Sequence, residues 1–142
     1  MSFSRLFGIV PLACLLAVAA VAQDEKPDLS GNWQLKEPTK TAKSITMIIE
    51  QKGKSVHITK TVTGIDGKAV KTEFQCATDG KECEIPGTKI SLWFDGQALV
   101  EMDAGSEVIS KITMKLDGNQ LKVDVSHIFP DGAPETYLLA KN

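Results

Sequence analysis

Apolar and polar residues alternate with a period of two along most of the chain. Ile45, Met47 and Ile49 alternate with Ser44, Thr46 and Ile48, and Val56 and Ile58 alternate with His57 and Thr59. Val70, Thr72, Phe74 and Cys76 alternate with Lys71, Glu73 and Gln75. The series continues through Ile90, Leu92 and Phe94, then Ala98, Val100 and Met102, then Val108, Ser110, Ile112, Met114 and Leu116, then Leu121, Val123 and Val125. A period of two is that of half-buried strands. With residues 31–36 at the start and Tyr137 and Leu139 at the end, the pattern predicts about nine strands. For the segment from Ala98, this phase puts Leu99, Glu101 and Asp103 on the outer face. No segment shows capped helical periodicity, and Glu37 to Lys43 has room for one helical turn at most.

Turn signals punctuate the strands. Asp66-Gly67, Asp79-Gly80, Asp95-Gly96, Asp117-Gly118 and Asp131-Gly132 recur, and Lys52-Gly53-Lys54 adds a sixth turn. Glycine supplies the positive φ that tight hairpins require. Evenly spaced hairpins predict an all-β, up-and-down antiparallel meander of about 8–10 strands. Closure into a barrel removes the exposed edges, and a β-sandwich is the alternative. Short sequential hairpins favour the barrel.

The N-terminus departs from this pattern. Residues 1–22 carry one charge near the start (Arg5), an uncharged apolar run from Leu6 to Val21, and the small-x-small sequence Ala20-Val21-Ala22. That is the layout of a secretory signal peptide cleaved near Ala22. An uncleaved anchor fits less well, because the run is shorter than the ~20 residues of a spanning helix and acids follow it. Cys14 lies inside the apolar run, a poor position for lipid attachment. The expected organisation is a signal at 1–22, a flexible leader at 23–28 and one β-barrel domain at 29–142. The product is exported, periplasmic or secreted, with no integral membrane span after cleavage.

Export changes the composition. Arg5 is the sole arginine among 16 basic residues, so the mature domain keeps 15 lysines against 18 acids, a net charge of −3. An acidic, arginine-free domain argues against nucleic acid and against bidentate capture of phosphates or carboxylates. Cys14 leaves with the signal, and Cys76 and Cys83 remain. With Asp79-Gly80 at the centre of a hairpin, Cys76 faces Cys83 at disulfide distance. A structural disulfide is therefore expected in an oxidising compartment. A redox or metal pair fits poorly, because there is no C-x-x-C and no nearby histidine.

No catalytic constellation stands out. There is no Gly-x-Ser-x-Gly elbow, and His57 and His127 are the only histidines. His57 alternates with Val56 and Ile58 and should face solvent. His127 continues the inward series after Val125. It offers a polar handle beside Ser110 or Tyr137, or is simply a satisfied core or rim residue. A metal site is not expected, since the two histidines point to opposite sides, and no cofactor is implied.

Leu29-Ser30-Gly31-Asn32-Trp33-Gln34-Leu35 resembles the Gly-x-Trp start of lipocalins and the wider calycin group, which includes fatty-acid-binding proteins. The pattern from Leu29 to Lys141 is similar to that of small exported bacterial lipocalin-like proteins of uncharacterised function. The resemblance implies structural roles for Gly31 and Trp33, with Trp33 plugging the closed end of a barrel. It implies a late basic residue packed on that tryptophan; without arginine, a lysine such as Lys141 must serve. The Thr-Asp-Tyr motif of lipocalins is absent. So is room for the helical lid of fatty-acid-binding proteins, and of their arginine–tyrosine clamp only Tyr137 has a counterpart.

The functional expectation is a non-enzymatic exported barrel holding a small hydrophobic molecule. Its ligand-binding set would be Phe74, Phe94, Met102, Ser110, Ile112, Met114, Val125, His127 and Tyr137. The alternative is an envelope scaffold or protein-interaction module acting through an outer patch of Trp93, Leu99 and Ile109; a hydrolytic enzyme ranks below both.

Overall fold

The computed structural model describes residues 26–142. The expected signal segment and residues 23–25 of the leader lie outside the described residues. Ten strands follow one another: β1 (Gly31–Leu35), β2 (Ala42–Lys52), β3 (Ser55–Gly64), β4 (Ala69–Ala77), β5 (Asp79–Ile85), β6 (Thr88–Asp95), β7 (Ala98–Gly105), β8 (Ile109–Asp117), β9 (Gln120–Phe129) and β10 (Glu135–Lys141). Among the described residues there is no helix.

All ladders are antiparallel, in the order β4-β3-β2-β1-β10-β9-β8-β7-β6-β5. Because β1 pairs with β10, the meander curls into a nearly closed barrel rather than a sandwich. The two ends of the sheet, β4 and β5, meet at a seam without a ladder between them. The disulfide of Cys76 and Cys83 crosses that seam, with an S–S distance of 2.01 Å and Cα atoms 5.8 Å apart.

The pairing of the cysteines is as expected, but the hairpin that motivated it is not there. Asp79-Gly80 belongs to β5, and Asp79 pairs with Trp93 of β6 ahead of a bulge. The strand escaped the alternation because only Cys83 and Ile85 are apolar within it. Its real turn is Pro86-Gly87, where proline presets φ and Gly87 (φ 80°) takes the positive-φ corner of a type II turn. Elsewhere glycine opens a two-residue loop. Gly96 (φ 59°) follows Asp95, which pairs directly with Ala98. This is the II′ geometry that suits twisted strands.

One end of the barrel is filled. Leu29, Met47, Ile49, Val56, Ile58, Leu92, Leu99, Met114, Leu121, Val123 and Leu139 are buried inside it, with Trp33 and Phe74 nearly so. Trp33 Nε1 donates to the Leu29 carbonyl at 3.0 Å. Gln51 fixes the strand entry, accepting from Leu29 N and donating to the Pro27 carbonyl. Lys26 lies 5.3 Å from the centre of the Phe94 ring. Lys141 pairs with Trp33 across the β1–β10 ladder, and its Nζ stands 5.6 Å from the ring centre. Gly31 adopts φ +151°, a conformation closed to other residues, with its missing Cβ directed at the Lys141 stem.

The register corrects the phase of one strand. Phe94 faces Leu99, Leu92 faces Glu101 and Ile90 faces Asp103. Residues opposite one another share a face, so Leu99, Glu101 and Asp103 point inward. Met102 points outward beside Ser91 and Lys111. Leu99 is fully buried in the core and cannot belong to an outer patch. Trp93 and Ile109 are half-buried, and Trp93 lies opposite a buried Val100 on the outer face. The expected surface patch does not exist as drawn.

Candidate functional site

The other half of the interior differs in chemistry from the filled end. The inward positions nearest the open end include Lys60 on β3, Thr72 on β4, Glu101 and Asp103 on β7, Ser110 on β8, His127 on β9, and Glu135 and Tyr137 on β10. Each position follows from its ladder. Lys60 sits between Met47 and Thr72, Glu101 between Leu92 and Ile112, Asp103 between Ile90 and Ser110, and Tyr137 beside Val123. Charged groups on an inner face are costly unless something compensates them, so a polar half-barrel calls for an explanation.

Glu101 is the extreme case. It is 3% exposed, although it is a carboxylic acid. Burial holds its pKa well above the ordinary value, against the pull of the Lys60 charge; a hydrogen bond and the charge of neighbouring Asp103 push it further up. Tyr137 is also raised, first by burial, then by the fields of Glu101 and Glu135. Asp103 Oδ1 is shielded from solvent and has no hydrogen-bond partner among the described residues. An orphaned buried acceptor is rare and needs a cause.

An opening leads toward this half. A cavity of about 410 Å³ is lined by Ala42 and Ile45 of β2, Val62 of β3, Val125 of β9, Tyr137 of β10, and the connector residues Thr39 to Thr41. Connector and barrel meet at Glu135. Thr41 Oγ1 donates to its Oε1 at 3.0 Å, and His127 Nε2 lies 3.6 Å from its Oε2. Around the same end Ile65, Val70, Val108, Ile128 and Phe129 are exposed.

The residues singled out from sequence fall into three groups. Val125 and Tyr137 line the cavity, with His127 and Ser110 at the rim beside it. Phe74, Ile112 and Met114 are inward but buried in the core, and Phe94 is inward near the filled end. Met102 is on the opposite face. Sequence reasoning missed Lys60, Glu101 and Asp103, because a charged residue in an amphipathic strand reads as surface. The signal lay in the hairpins. A two-residue turn after Asp95 places Leu99 opposite Phe94, and one after Lys52 places Lys60 opposite Met47.

Nothing here resembles an activated nucleophile. Ser110 lies opposite His127, but among the described residues no hydrogen bond joins them, and the histidine ring engages Glu135 instead. His57 lies on the outer face between Glu50 and Glu73, at 3.4 and 2.9 Å. Among the described residues no three His, Cys, Asp or Glu side chains gather as metal ligands.

No protein-family model matches the chain, and no curated protein matches it. Solved structures do match in fold. The fatty acid transporter REP1-NXSQ superposes with a TM-score of 0.61 at 18% identity, covering 81% of this chain and 96% of its own. Fatty-acid-binding protein 1 of Echinococcus granulosus gives 0.58 at 12% identity, covering 80% and 96%. The fatty-acid-binding protein of Manduca sexta gives 0.53 at 19% identity, covering 79% and 98%. At these identities the likeness is one of fold: this chain is a ten-stranded barrel of the shape those proteins share.

Proposed function

We propose that this protein is a non-enzymatic carrier that holds one small hydrophobic molecule in the open half of its barrel. The observation that carries this reading is the cavity of about 410 Å³, with Ile45, Val62, Val125 and Tyr137 as its wall. It falls within the ~300–1,000 Å³ range of small-molecule sites, which are mostly apolar with a few placed polar groups. The fold is shared with proteins described as fatty-acid carriers, which supports the same reading. Ser110, His127 and Tyr137 are the polar handles, and Val125 and Ile112 the apolar floor. Phe74, Phe94 and Met114 shape the packed base beneath.

The working form is exported, periplasmic or secreted, after removal of residues 1–22. The N-terminal sequence pattern supports this, together with a disulfide, a bond favoured in oxidising compartments. The test is titration of the oxidised mature chain with a neutral hydrophobic fluorophore, N-phenyl-1-naphthylamine. Saturable binding at one site per chain is expected; a linear, unsaturable response sinks the proposal.

A further inference from the structure

Resting on that carrier reading, we propose that the ligand is an amphiphile held tail-first. Its apolar chain lies inside the barrel, and its neutral polar head stays outside the wall, in a second cavity at a slot between residues 36–41 and β10.

The slot follows from strand lengths. β1 stops at Leu35, opposite Leu139 of β10, and its last partner on β2 is Thr46. Towards the mouth, β2 continues past that point to Ala42 and β10 to Glu135. Two strand spacings, about 9.5 Å, separate them there with no strand between. Residues 36–41 cross this gap without closing it. They are anchored to β2: Thr39 N donates to the Ala42 carbonyl at 2.9 Å, and Ala42 N donates to Thr39 Oγ1 at 3.0 Å. They reach β10 at two points, where Lys36 N donates to the Leu138 carbonyl at 3.4 Å and Thr41 Oγ1 donates to Glu135 at 3.0 Å. Between those points, among the described residues, no hydrogen bond joins residues 37–40 to Thr136 or Tyr137. Pro38 has no N–H to give, and the Thr136 hydroxyl is turned away to Asp124 at 2.6 Å.

A second cavity, of about 450 Å³, lies at this slot. It shares Thr39, Thr136 and Tyr137 with the first, so the two meet there. Their walls belong to opposite faces of the sheet. Ile45, Val62 and Val125 of the first point inward. Thr136 and Leu138 of the second lie opposite Asp124 and Lys122 and point outward. The chemistry changes with the face. The inner wall is chiefly aliphatic, whereas Lys36, Glu37 and Thr39 line the outer cavity. An apolar chain gains by leaving water for the first, and a polar head would lose by following it. Lys36 brings donors and Glu37 acceptors, and their charges cancel. A neutral head carrying both donors and acceptors suits that pair.

The experiment is displacement of bound N-phenyl-1-naphthylamine from the oxidised mature chain by dodecan-1-ol and by dodecyl maltoside, the latter below its micellar concentration. The two share a chain and differ in the size of a neutral head. The maltoside is expected to displace at concentrations within about tenfold of those for dodecan-1-ol, because its disaccharide stays outside the wall. Displacement beyond that range, or none, overturns the inference while the carrier reading stands. Thr136→Trp narrows the slot from its outer side. It should weaken the maltoside relative to dodecan-1-ol by about tenfold or more; an unchanged ratio overturns the inference. Should that variant not fold, a dodecyl chain bearing a nitroxide head is added to the wild-type chain. Amide signals of residues 36–39 and 136–138 should broaden first. Broadening first at Ile65, Val108 and Phe129, around the axial opening, overturns the slot. No fluorophore binding at all overturns both readings.

Discussion

Lys141 and Trp33 face each other across the β1–β10 ladder, and the lysine Nζ stands 5.6 Å from the indole centre. The ring closes the filled end from inside, its Nε1 tied to the Leu29 carbonyl, and the lysine covers it from outside. Trp33→Ala should therefore cost about 3–5 kcal/mol. Lys141→Ala should cost only about 0.5–1 kcal/mol, the range of a cation held over a ring near solvent. Urea unfolding of both variants checks the ratio.

The phase of β7 makes a sharper prediction. Leu99 is fully buried, whereas Met102 is outward and half-buried. Leu99→Ala should cost about 2–5 kcal/mol by leaving a core cavity, and Met102→Ala less than about 1 kcal/mol. Equal losses in urea unfolding would mean the strand is out of register.

That strand also marks where the fold was legible in sequence and where it was not. The meander could be read from Gly53, Gly67, Gly96 and Gly118, which do adopt positive φ at turns, and from strands such as β8, where Ile112, Met114 and Leu116 share one side. Asp79-Gly80 looked like the same signal but lay inside a strand, because the chain there changes edges of the sheet. In β7 the segment Ala98-Leu99-Val100 is apolar on both faces, so local alternation does not fix the phase. The acids that follow then pull the reading toward the wrong face. Lys60 misleads similarly. Interior charge breaks the apolar-in rule, and such breaks are where a binding site differs from a core. The interior was half legible: Val125 and Tyr137 of the cavity wall follow from alternation, while the inward placement of Glu101 and Asp103 required the cross-strand register.

Glu101 carries a pH signature. Its pKa in the folded state is raised above the ordinary 4.5, chiefly by burial. Between those two values the folded chain binds more protons than the unfolded one, so this group's contribution to stability falls as pH rises. Glu101→Gln keeps the shape and removes the titration. The variant should gain on wild type progressively as pH climbs above 4.5. Unfolding free energies measured in urea from pH 4 to pH 9 check this, and a gap that narrows with rising pH contradicts it.

The mouth can be blocked without touching the base. Val125 lines the cavity and is half-buried, so Val125→Trp has open space to fill. Fluorophore affinity should drop by about tenfold or more, with stability changed by less than about 1.5 kcal/mol. Unchanged affinity would place the ligand elsewhere.

Loss of the disulfide has a calculable cost. Cys76 and Cys83 are 7 positions apart, and closing so short a loop restricts the unfolded chain by about 2.5 kcal/mol. The variant with both cysteines changed to alanine should lose roughly that much, and amide exchange should quicken first along β4 and β5.

The position of that bond has a mechanical consequence. Hydrogen-bonded ladders link ten strands in a row, and a row has two free ends. The sulfur bridge joins them, so the row becomes a hoop. A push on any one strand is then carried round both sides of the barrel instead of being spent at the nearest loose edge. Where the bridge ties β4 to β5, the wall keeps its circumference.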